Sequence, residues 1–302
     1  MEVPQNQVLN TIACLYFKES YKKVMDTKGV SVKLQMEFIN GLSVMLGGQF
    51  QNRRLMDNRT NHSLFKSESL YDSNTPDNIY LNDYPLENHS QPTLQLRFYY
   101  TPSPRYSIDK DGYKQYTSQH LPTFSLNVAK GLNFWNGAST YTNMELGMVH
   151  AVRINMFNEL NYRVSVGKFF GQKGLQLSNF YFPTTTYAPF AFESTKNSFT
   201  LLPYYRFATP EGYAEAHVCY ESQNLILKRL PFLTSSQFTE NITIGYYSTG
   251  RYRNYTEIGY GLDKILFIGG VSAVASFENG RYSGWGIRAY INLSSNSEIK
   301  IK

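Results

Sequence analysis

The sequence predicts an all-β protein, an antiparallel transmembrane β-barrel with about twelve strands, and three observations lead to this prediction. Apolar and polar residues alternate with a period of two in many separate stretches, which is the pattern of a strand with two different faces. The chain contains 25 Tyr and 20 Phe, enough to supply the aromatic girdles of a membrane barrel. No uninterrupted apolar run reaches about 18 residues, which excludes a transmembrane helix but not transmembrane strands.

The strands are predicted from this alternation. From Val30 to Phe38 every second residue is apolar, while Ser31, Lys33, Gln35 and Glu37 lie between them. The same pattern recurs along the chain, and many of the stretches have about ten residues, the length that a tilted strand needs to cross a bilayer. The predicted strands are about 10–18, 29–39, 41–53, 93–102, 123–132, 141–156, 160–171, 212–223, 237–248, 253–263, 265–277 and 282–293.

The connections between the predicted strands are of two kinds. "INGL" (39–42), "MFNEL" (156–160) and "GLDKI" (261–265) are tight turns. Residues 54–92 form a long loop, and residues 172–211 form a second one that we expect to be associated with the barrel lumen. Because all-β barrels often reach this length, we treat residues 1–302 as a single β-barrel domain.

Charge and cysteine content exclude several other classes. The net charge of +6 is spread over the chain without a block of five Lys or Arg residues, so we expect no nucleic-acid partner. Cys14 and Cys219 lie far apart and belong to no CxxC pair, which argues against a disulfide framework and a zinc ribbon.

Two kinds of sheet fit the alternation. A soluble β-sandwich buries its apolar face and exposes its polar face, whereas a membrane barrel turns the apolar face to lipid and the polar face to the lumen. Here the polar faces carry Gly, Asn, Ser and Tyr with isolated opposite charges, and aromatic groups such as "RFYY" and "RYSGWG" lie at strand ends. These features favour the barrel, with a soluble β-sandwich binding module as the alternative.

The most conspicuous polar series is Glu215, His217, Cys219 and Glu221, which occupies one face of a predicted strand. Alternate residues of a strand lie roughly 6.6 Å apart and diverge, so a metal site is not favoured. We expect a structural polar ladder in the lumen, with its carboxylates paired to arginines across the barrel. The residues predicted for this ladder are Glu145, Arg153, Arg163, Glu215, His217, Glu221, Glu257 and Arg288.

Catalytic motifs are missing from the sequence. GxSxG, HExxH, a phosphate-binding loop and a Cys/His pair at family-like spacing all fail to occur. We therefore expect a protein that is not an enzyme, with no catalytic residues, metal or cofactor. The alternative is a hydrolase active at the barrel rim, for which Glu215 and His217 would be the residues to substitute.

The N-terminal stretch "MEVPQNQVLNTIACLYFKESYKKV" has no basic segment followed by an apolar core, so a signal peptide is not part of this chain. The stretch "FKESYKKV…VKLQMEFINGLSVMLGGQFQNRRLM" resembles the start of the barrel in a Gram-negative outer-membrane family of unknown function. Full-length members of that family carry a carboxypeptidase-regulatory-like domain before the barrel. "PTFSLNVAKGL", "ELGM", "ELNYRVSVGKFF" and "FTLLPYYRFATPEGYAEAHVCY…LKRLPFL" resemble its later segments in the same order.

That family is in turn similar to the outer-membrane assembly and bacterial surface antigen superfamily, whose barrels have sixteen strands and a long inward loop before the twelfth. The resemblance implies that residues 172–211 are this loop and that the chain is a C-terminal fragment lacking about four strands. The usual Arg-Gly-Phe/Tyr loop tip is missing, and its nearest counterpart is the cluster Tyr204, Tyr205 and Arg206.

The resemblance also implies a place and a role. We expect an outer-membrane protein that contacts outer-membrane lipid, lipopolysaccharide and other envelope proteins, with a role in envelope biogenesis or transport.

Overall fold

The computed structural model covers most of the chain. It describes residues 7–58, 63–65, 71, 73–84, 86–108, 110, 114–116, 121–135, 137–172, 174–192, 194–231, 233, 236–265 and 268–291.

One helix is followed by fourteen strands in the described residues. Helix α1 spans Gln7–Phe17. No helix in the ranges given above is long and apolar enough to cross a membrane. The strands are β1 Met25–Ile39, β2 Leu42–Leu55, β3 His89–Tyr100, β4 Tyr106–Ile108, β5 Lys114–Tyr116, β6 Thr123–Gly131, β7 Tyr141–Arg153, β8 Asn158–Phe170, β9 Phe190–Ala191, β10 Tyr213–Ser222, β11 Thr239–Thr249, β12 Tyr255–Ile265, β13 Gly269–Glu278 and β14 Arg281–Ile291.

Twelve of the strands form one sheet in the order β1-β2-β3-β6-β7-β8-β10-β11-β12-β13-β14-β9. Neighbours in this order are antiparallel, except that the two residues of β9 pair with β14 in parallel. The small hairpin of β4 and β5 stands apart from it. Among the described residues this sheet is not closed on itself, and its two edges are β1 and β14 with β9.

The prediction of an all-β, mainly antiparallel fold is confirmed. Eleven of the twelve predicted strands correspond to β1, β2, β3, β6, β7, β8 and β10 to β14, although residues 266–267 and 292–293 lie outside the described residues.

The predicted strand at 10–18 is wrong, because this stretch belongs to helix α1. Ile12, Cys14 and Tyr16 imitate a period of two, but the intervening Ala13, Leu15 and Phe17 are also apolar, so the run has no polar face. Short apolar runs of this kind fit a helix as well as a strand. The helix ends at Phe17, and the next residue, Lys18, has a left-handed φ of 57°.

The two faces of the sheet differ in exposure. The apolar face contains Val30 on β1 and the side chains of the other strands that point to the same side of the sheet. This face is largely uncovered. Val30 is 71% exposed, Leu146 on β7 59% and Trp285 on β14 68%. The polar face of β10 to β12 is covered instead, and Glu215 and Glu257 on it are almost fully buried. This arrangement is the inverse of a soluble sheet, which buries its apolar side.

Residues 171–212 connect β8 to β10, and we call them the inner segment. Their described part covers this polar face. They contain a 3-10 turn at Leu177–Asn179 and strand β9. Aromatic and aliphatic side chains of the inner segment, such as Phe199 and Leu202, pack in one buried cluster with Tyr80, Tyr213 and Tyr247. The core therefore lies between the inner segment and the polar face.

Candidate functional site

The candidate site is the junction between the inner segment and the polar face of β10 to β14. The inner segment has little regular structure, so its backbone N–H groups need partners outside a helix or a ladder. Carboxylates on the polar face supply several of these partners.

Glu257 on β12 binds three successive backbone N–H groups of the inner segment. Its oxygens accept hydrogen bonds from the N–H groups of Thr200 at 2.8 Å, Leu201 at 2.9 Å and Leu202 at 3.1 Å. The hydroxyl of Tyr255 donates to the same carboxylate at 2.6 Å. A single buried carboxylate thus supplies the acceptor for three donors of the inner segment.

Glu215 on β10 anchors an earlier part of the inner segment. It accepts hydrogen bonds from the Tyr181 hydroxyl at 2.7 Å and from the Thr184 N–H group at 3.2 Å. Nε2 of His217 lies 2.9 Å from Oε1 of Glu215, and the imidazole packs on Phe199 with a centroid distance of 4.5 Å. Both side chains of this pair are almost completely buried.

Lys196 forms a third anchor by bridging two strands. Its Nζ lies 2.8 Å from Glu221 on β10 and 2.9 Å from Asp263 on β12. Burial lowers the pKa of Lys196, but the carboxylates of Asp263 and Glu221 outweigh this effect and the net shift is upward. Asn241 and Tyr290 also donate hydrogen bonds to Asp263. The cation is therefore held in its charged form at a point where the inner segment meets two strands.

Six of the eight residues predicted for the polar ladder contact the inner segment or a polar partner on a neighbouring strand. Glu215, His217, Glu221 and Glu257 do so as described above. Glu145 accepts hydrogen bonds from Asn127 and from Tyr213, each at 2.8 Å. Nε of Arg288 donates to the carbonyl oxygen of Thr200 at 2.9 Å.

The other two predicted ladder residues lie apart from this junction. Arg153 is exposed at the end of β7, and Arg163 is half-buried beside an open cavity. The expected pairing of carboxylates with arginines is replaced by pairing with backbone N–H groups, tyrosine hydroxyls and Lys196. The inner segment brings its own donors to the carboxylates.

The predicted cluster of Tyr204, Tyr205 and Arg206 is divided by the fold. Tyr204 and Tyr205 are buried, and their hydroxyls accept hydrogen bonds from the N–H groups of Ala188 at 3.3 Å and Lys23 at 2.8 Å. Burial raises the pKa of each hydroxyl to about 12. Arg206 points outward and lies 3.8 Å from Asp77. Tyr205 thus fastens the inner segment near the start of β1, and Tyr204 joins two parts of the inner segment. The arginine is a surface residue.

The junction leaves little free space between the inner segment and the strands. A cavity of about 20 Å³ lies among Lys196, His217, Asn241, Glu257 and Asp263. A volume of this size holds about one water molecule. The arrangement is suited to holding a segment in place rather than to binding a substrate of ordinary size.

Sequence reasoning missed Asp263, Tyr181 and Lys196. Asp263 continues the alternation of β12 from Glu257, and that periodicity was a signal for it. Tyr181 and Lys196 belong to the inner segment, which has no period, so no comparable signal existed for them.

The described residues contain no group of three or more His, Cys, Asp or Glu side chains arranged to hold a metal ion. The expectations of no metal and no cofactor stay predictions.

No curated protein shows significant sequence similarity to the chain. A family model does match residues 1–262, which is most of the chain, and it is described as the C-terminal domain of a family of unknown function, DUF5686. Because this match covers more than half of the chain, the chain belongs to the DUF5686 family.

Proposed function

We propose that the protein is a non-enzymatic outer-membrane β-barrel in which the inner segment occupies the lumen. The long antiparallel strands span the bilayer, and the apolar face contacts lipid. Because a spanning sheet must leave no edge in lipid, the eleven long strands are part of a closed barrel, for which the resemblance to the surface antigen superfamily suggests sixteen strands.

The observation that carries this proposal is the inverted burial of the sheet. Large apolar side chains on many strands are exposed on one face, while carboxylates are buried on the other. In water, an exposed apolar surface of this extent is unfavourable and marks contact with a partner or a membrane. A lipid environment gives these side chains an apolar solvent and leaves the polar face for the lumen.

The anchors of the inner segment support a lumen that is filled at rest. Glu215, Glu257 and Lys196 fix three points of the segment to β10 and β12. A role in envelope biogenesis or transport would then require movement of this segment.

The lengths of the connections suggest an orientation. Residues 56–88 and the inner segment, the two longest connections, leave the sheet at the same end, because strand direction alternates along it. Outer-membrane barrels have long loops outside the cell and short turns in the periplasm. We therefore place this end, the long-loop end, at the outer surface, where lipopolysaccharide and other envelope proteins are the partners.

Cell fractionation combined with gel mobility before and after boiling tests the proposal. We expect the protein in the outer-membrane fraction and a mobility shift on boiling, as a closed barrel resists detergent until heated. Recovery in a soluble fraction without detergent, together with unchanged mobility, would contradict the barrel.

A matched pair of variants distinguishes the barrel from a soluble sheet. Leu146→Asp puts a charge on the apolar face of β7, and we expect it to destabilise the inserted barrel by roughly 2 kcal/mol and to lower membrane recovery. Gln95→Asp puts the same charge on the polar face of β3 and should be tolerated. In a soluble sheet with Leu146 facing water, L146D would be harmless.

A further inference from the structure

We infer that four cations on the apolar face form a binding site for the phosphate groups of lipopolysaccharide. This inference rests on the proposed outer-membrane barrel and adds a specific lipid contact to it. The four residues, which we call the cation row, are Lys28 on β1, Arg54 on β2, Lys130 on β6 and Lys168 on β8.

All four side chains belong to the apolar face. Unbroken register places Lys28 on the same side as Val30 and Arg54 on the same side as Phe50. Lys130 and Lys168 alternate in the same way with the apolar residues of β6 and β8. Each of the four is exposed. None of them forms an ion pair with another described residue, so their charges are available to a ligand.

Lys28, Lys130 and Lys168 lie on a diagonal across the sheet, and Arg54 lies beside it, toward the long-loop end. Lys28 is opposite Asn52, which is opposite Ser90, but Lys130 is opposite Leu94, four residues further along β3. Lys130 is opposite Thr142 on β7, which is opposite Phe170 on β8. Lys168 lies two residues nearer to the β7–β8 turn than Phe170. Lys168 is therefore shifted by six residues from the line that runs straight across the strands from Lys28.

This diagonal matches the tilt of strands in a membrane barrel. Six residues correspond to about 20 Å along a strand, and the five steps from β1 to β8 correspond to about 24 Å across the sheet. The resulting angle is about 40°, within the ~35–45° tilt of transmembrane strands. The ends of the strands shift in the same direction, since the β7–β8 turn lies beyond the β1–β2 turn. In a tilted barrel Lys28, Lys130 and Lys168 therefore lie at about one depth, and Arg54, two residues past the partner of Lys28, lies further toward the long-loop end.

The rest of the apolar face on β6, β7 and β8 is uncharged. From Lys130 and Lys168 toward the β7–β8 turn, the residues on the apolar face of β6, β7 and β8 are apolar as far as His150 and Tyr162. The side chains of His150 and Tyr162 form a hydrogen bond of 3.1 Å. The carboxylate nearest to the row on this face is Asp26, opposite Arg54. The apolar band thus has a positive border at its long-loop end.

A positive border next to an apolar band fits an anionic lipid headgroup above its acyl chains. Lysine and arginine near a membrane surface each contribute to binding anionic lipid, and phosphate is the group that they recognise best. Because the long-loop end faces outside in the proposed orientation, the lipid at this border belongs to the outer leaflet. The ligand that we assign is therefore lipopolysaccharide, bound through its phosphates.

The test uses the purified full chain in detergent. The variants are Lys130→Gln with Lys168→Gln, and the quadruple variant that adds Lys28→Gln and Arg54→Gln. The matched control is Arg153→Gln with Arg229→Gln, which removes two exposed cations at the opposite ends of the strands. Each protein is incubated with micelles of lipopolysaccharide and, separately, of phosphatidylglycerol, and the bound lipid phosphate is measured after separation.

We expect the double variant to bind lipopolysaccharide on the order of tenfold more weakly than the unchanged protein, and the quadruple variant to bind more weakly again. The control should bind as the unchanged protein does. Equal binding by all variants would overturn the inference, and so would equal loss in the control. Binding of phosphatidylglycerol with the same affinity and the same losses would replace lipopolysaccharide by anionic lipid in general and would overturn the assignment.

Gel mobility before and after boiling keeps this inference separate from the proposed function. If the unchanged protein shows the barrel shift and the variants show it too, a failure of lipopolysaccharide binding concerns the cation row alone. If the unchanged protein shows no shift, the barrel itself is wrong.

Discussion

The polar face differs between the part of the sheet that the inner segment covers and the uncovered strand β1. On β10 and β12 the polar face is buried beneath the inner segment, and its carboxylates bind backbone N–H groups. On β1 the same face is exposed, and Glu37 there binds the exposed residues Lys114 and Tyr116. The polar face is therefore not one uniform lining.

The difference has an energetic consequence. Packing and desolvated hydrogen bonds are concentrated where the inner segment covers the sheet, whereas most of β1 relies on its strand pairing. Substitutions of one residue type should therefore have unequal effects in the two parts.

Removal of a buried ring should have the largest effect. Phe199 is fully buried against His217, Tyr247 and Tyr255. We expect Phe199→Ala to lower the free energy of unfolding by roughly 3–5 kcal/mol, since it leaves a cavity. Phe124→Ala, on the half-exposed apolar face of β6, should cost only about 1 kcal/mol in detergent. Urea unfolding followed by gel mobility measures both, and similar losses would show that the inner segment is loosely packed.

Loss of a carboxylate anchor should have the next largest effect. Glu257→Ala leaves the N–H groups of Thr200, Leu201 and Leu202 without an acceptor, and we expect a loss of roughly 3 kcal/mol in the free energy of unfolding. Glu37→Ala removes an exposed carboxylate from β1 and should leave the free energy of unfolding nearly unchanged. The same unfolding experiment compares them, and an equal cost for the two would contradict the division of the sheet.

Alkaline pH should weaken the attachment of the inner segment. The pKa of Tyr204 and of Tyr205 is about 12 in the folded protein, above the ordinary value of 10.0. The folded state thus keeps protons that the unfolded chain loses, so stability is unaffected by these groups below pH ~10 and falls as the pH rises through about 12. The free energy of unfolding then falls by up to roughly 1.4 kcal/mol per pH unit for each of the two hydroxyls.

Ultraviolet titration of the phenolate, together with unfolding midpoints at several pH values, measures this fall. Tyr204→Phe with Tyr205→Phe serves as the control, because it removes both ionisable groups. An equally steep fall in the double variant would assign the alkaline transition to other residues.

The smallest effect is expected at Arg206. Its guanidinium is about half exposed, and its nearest carboxylate, Asp77, is 80% exposed at 3.8 Å. Arg206→Ala should change the free energy of unfolding by less than about 0.5 kcal/mol. Tyr205→Phe is the comparison, since it deprives the Lys23 N–H group of its acceptor and should cost more. A larger effect at Arg206 would mean that this residue contributes more than a surface contact.

The strands could be predicted because each carries its own signal. Alternation located β1 at Val30 and β10 at Ala214, and it also placed Glu215 and Glu257 on the polar face. The helix at Gln7–Phe17 could not be distinguished from a strand, because its apolar run had no polar partner residues to set a period.

The attachments of the inner segment could not be predicted for a different reason. Lys196 meets Asp263 through a fold that brings distant residues together, and no local pattern specifies such a contact. The carboxylates were visible in the sequence, but their partners are largely backbone N–H groups, which every residue except proline has. The residue types of the inner segment that donate these N–H groups therefore give no signal in the sequence.

Strand β9 links the inner segment to an edge of the sheet. Phe190 and Ala191 pair with Ala289 and Tyr290, and the carbonyl oxygen of Pro189 accepts a hydrogen bond from the N–H group of Ala289 at 3.1 Å. Any strand that completes the sheet along the whole of β14 must compete with β9 for these groups. Displacement of the inner segment and extension of the ladder on β14 are therefore thermodynamically coupled, and each makes the other more favourable.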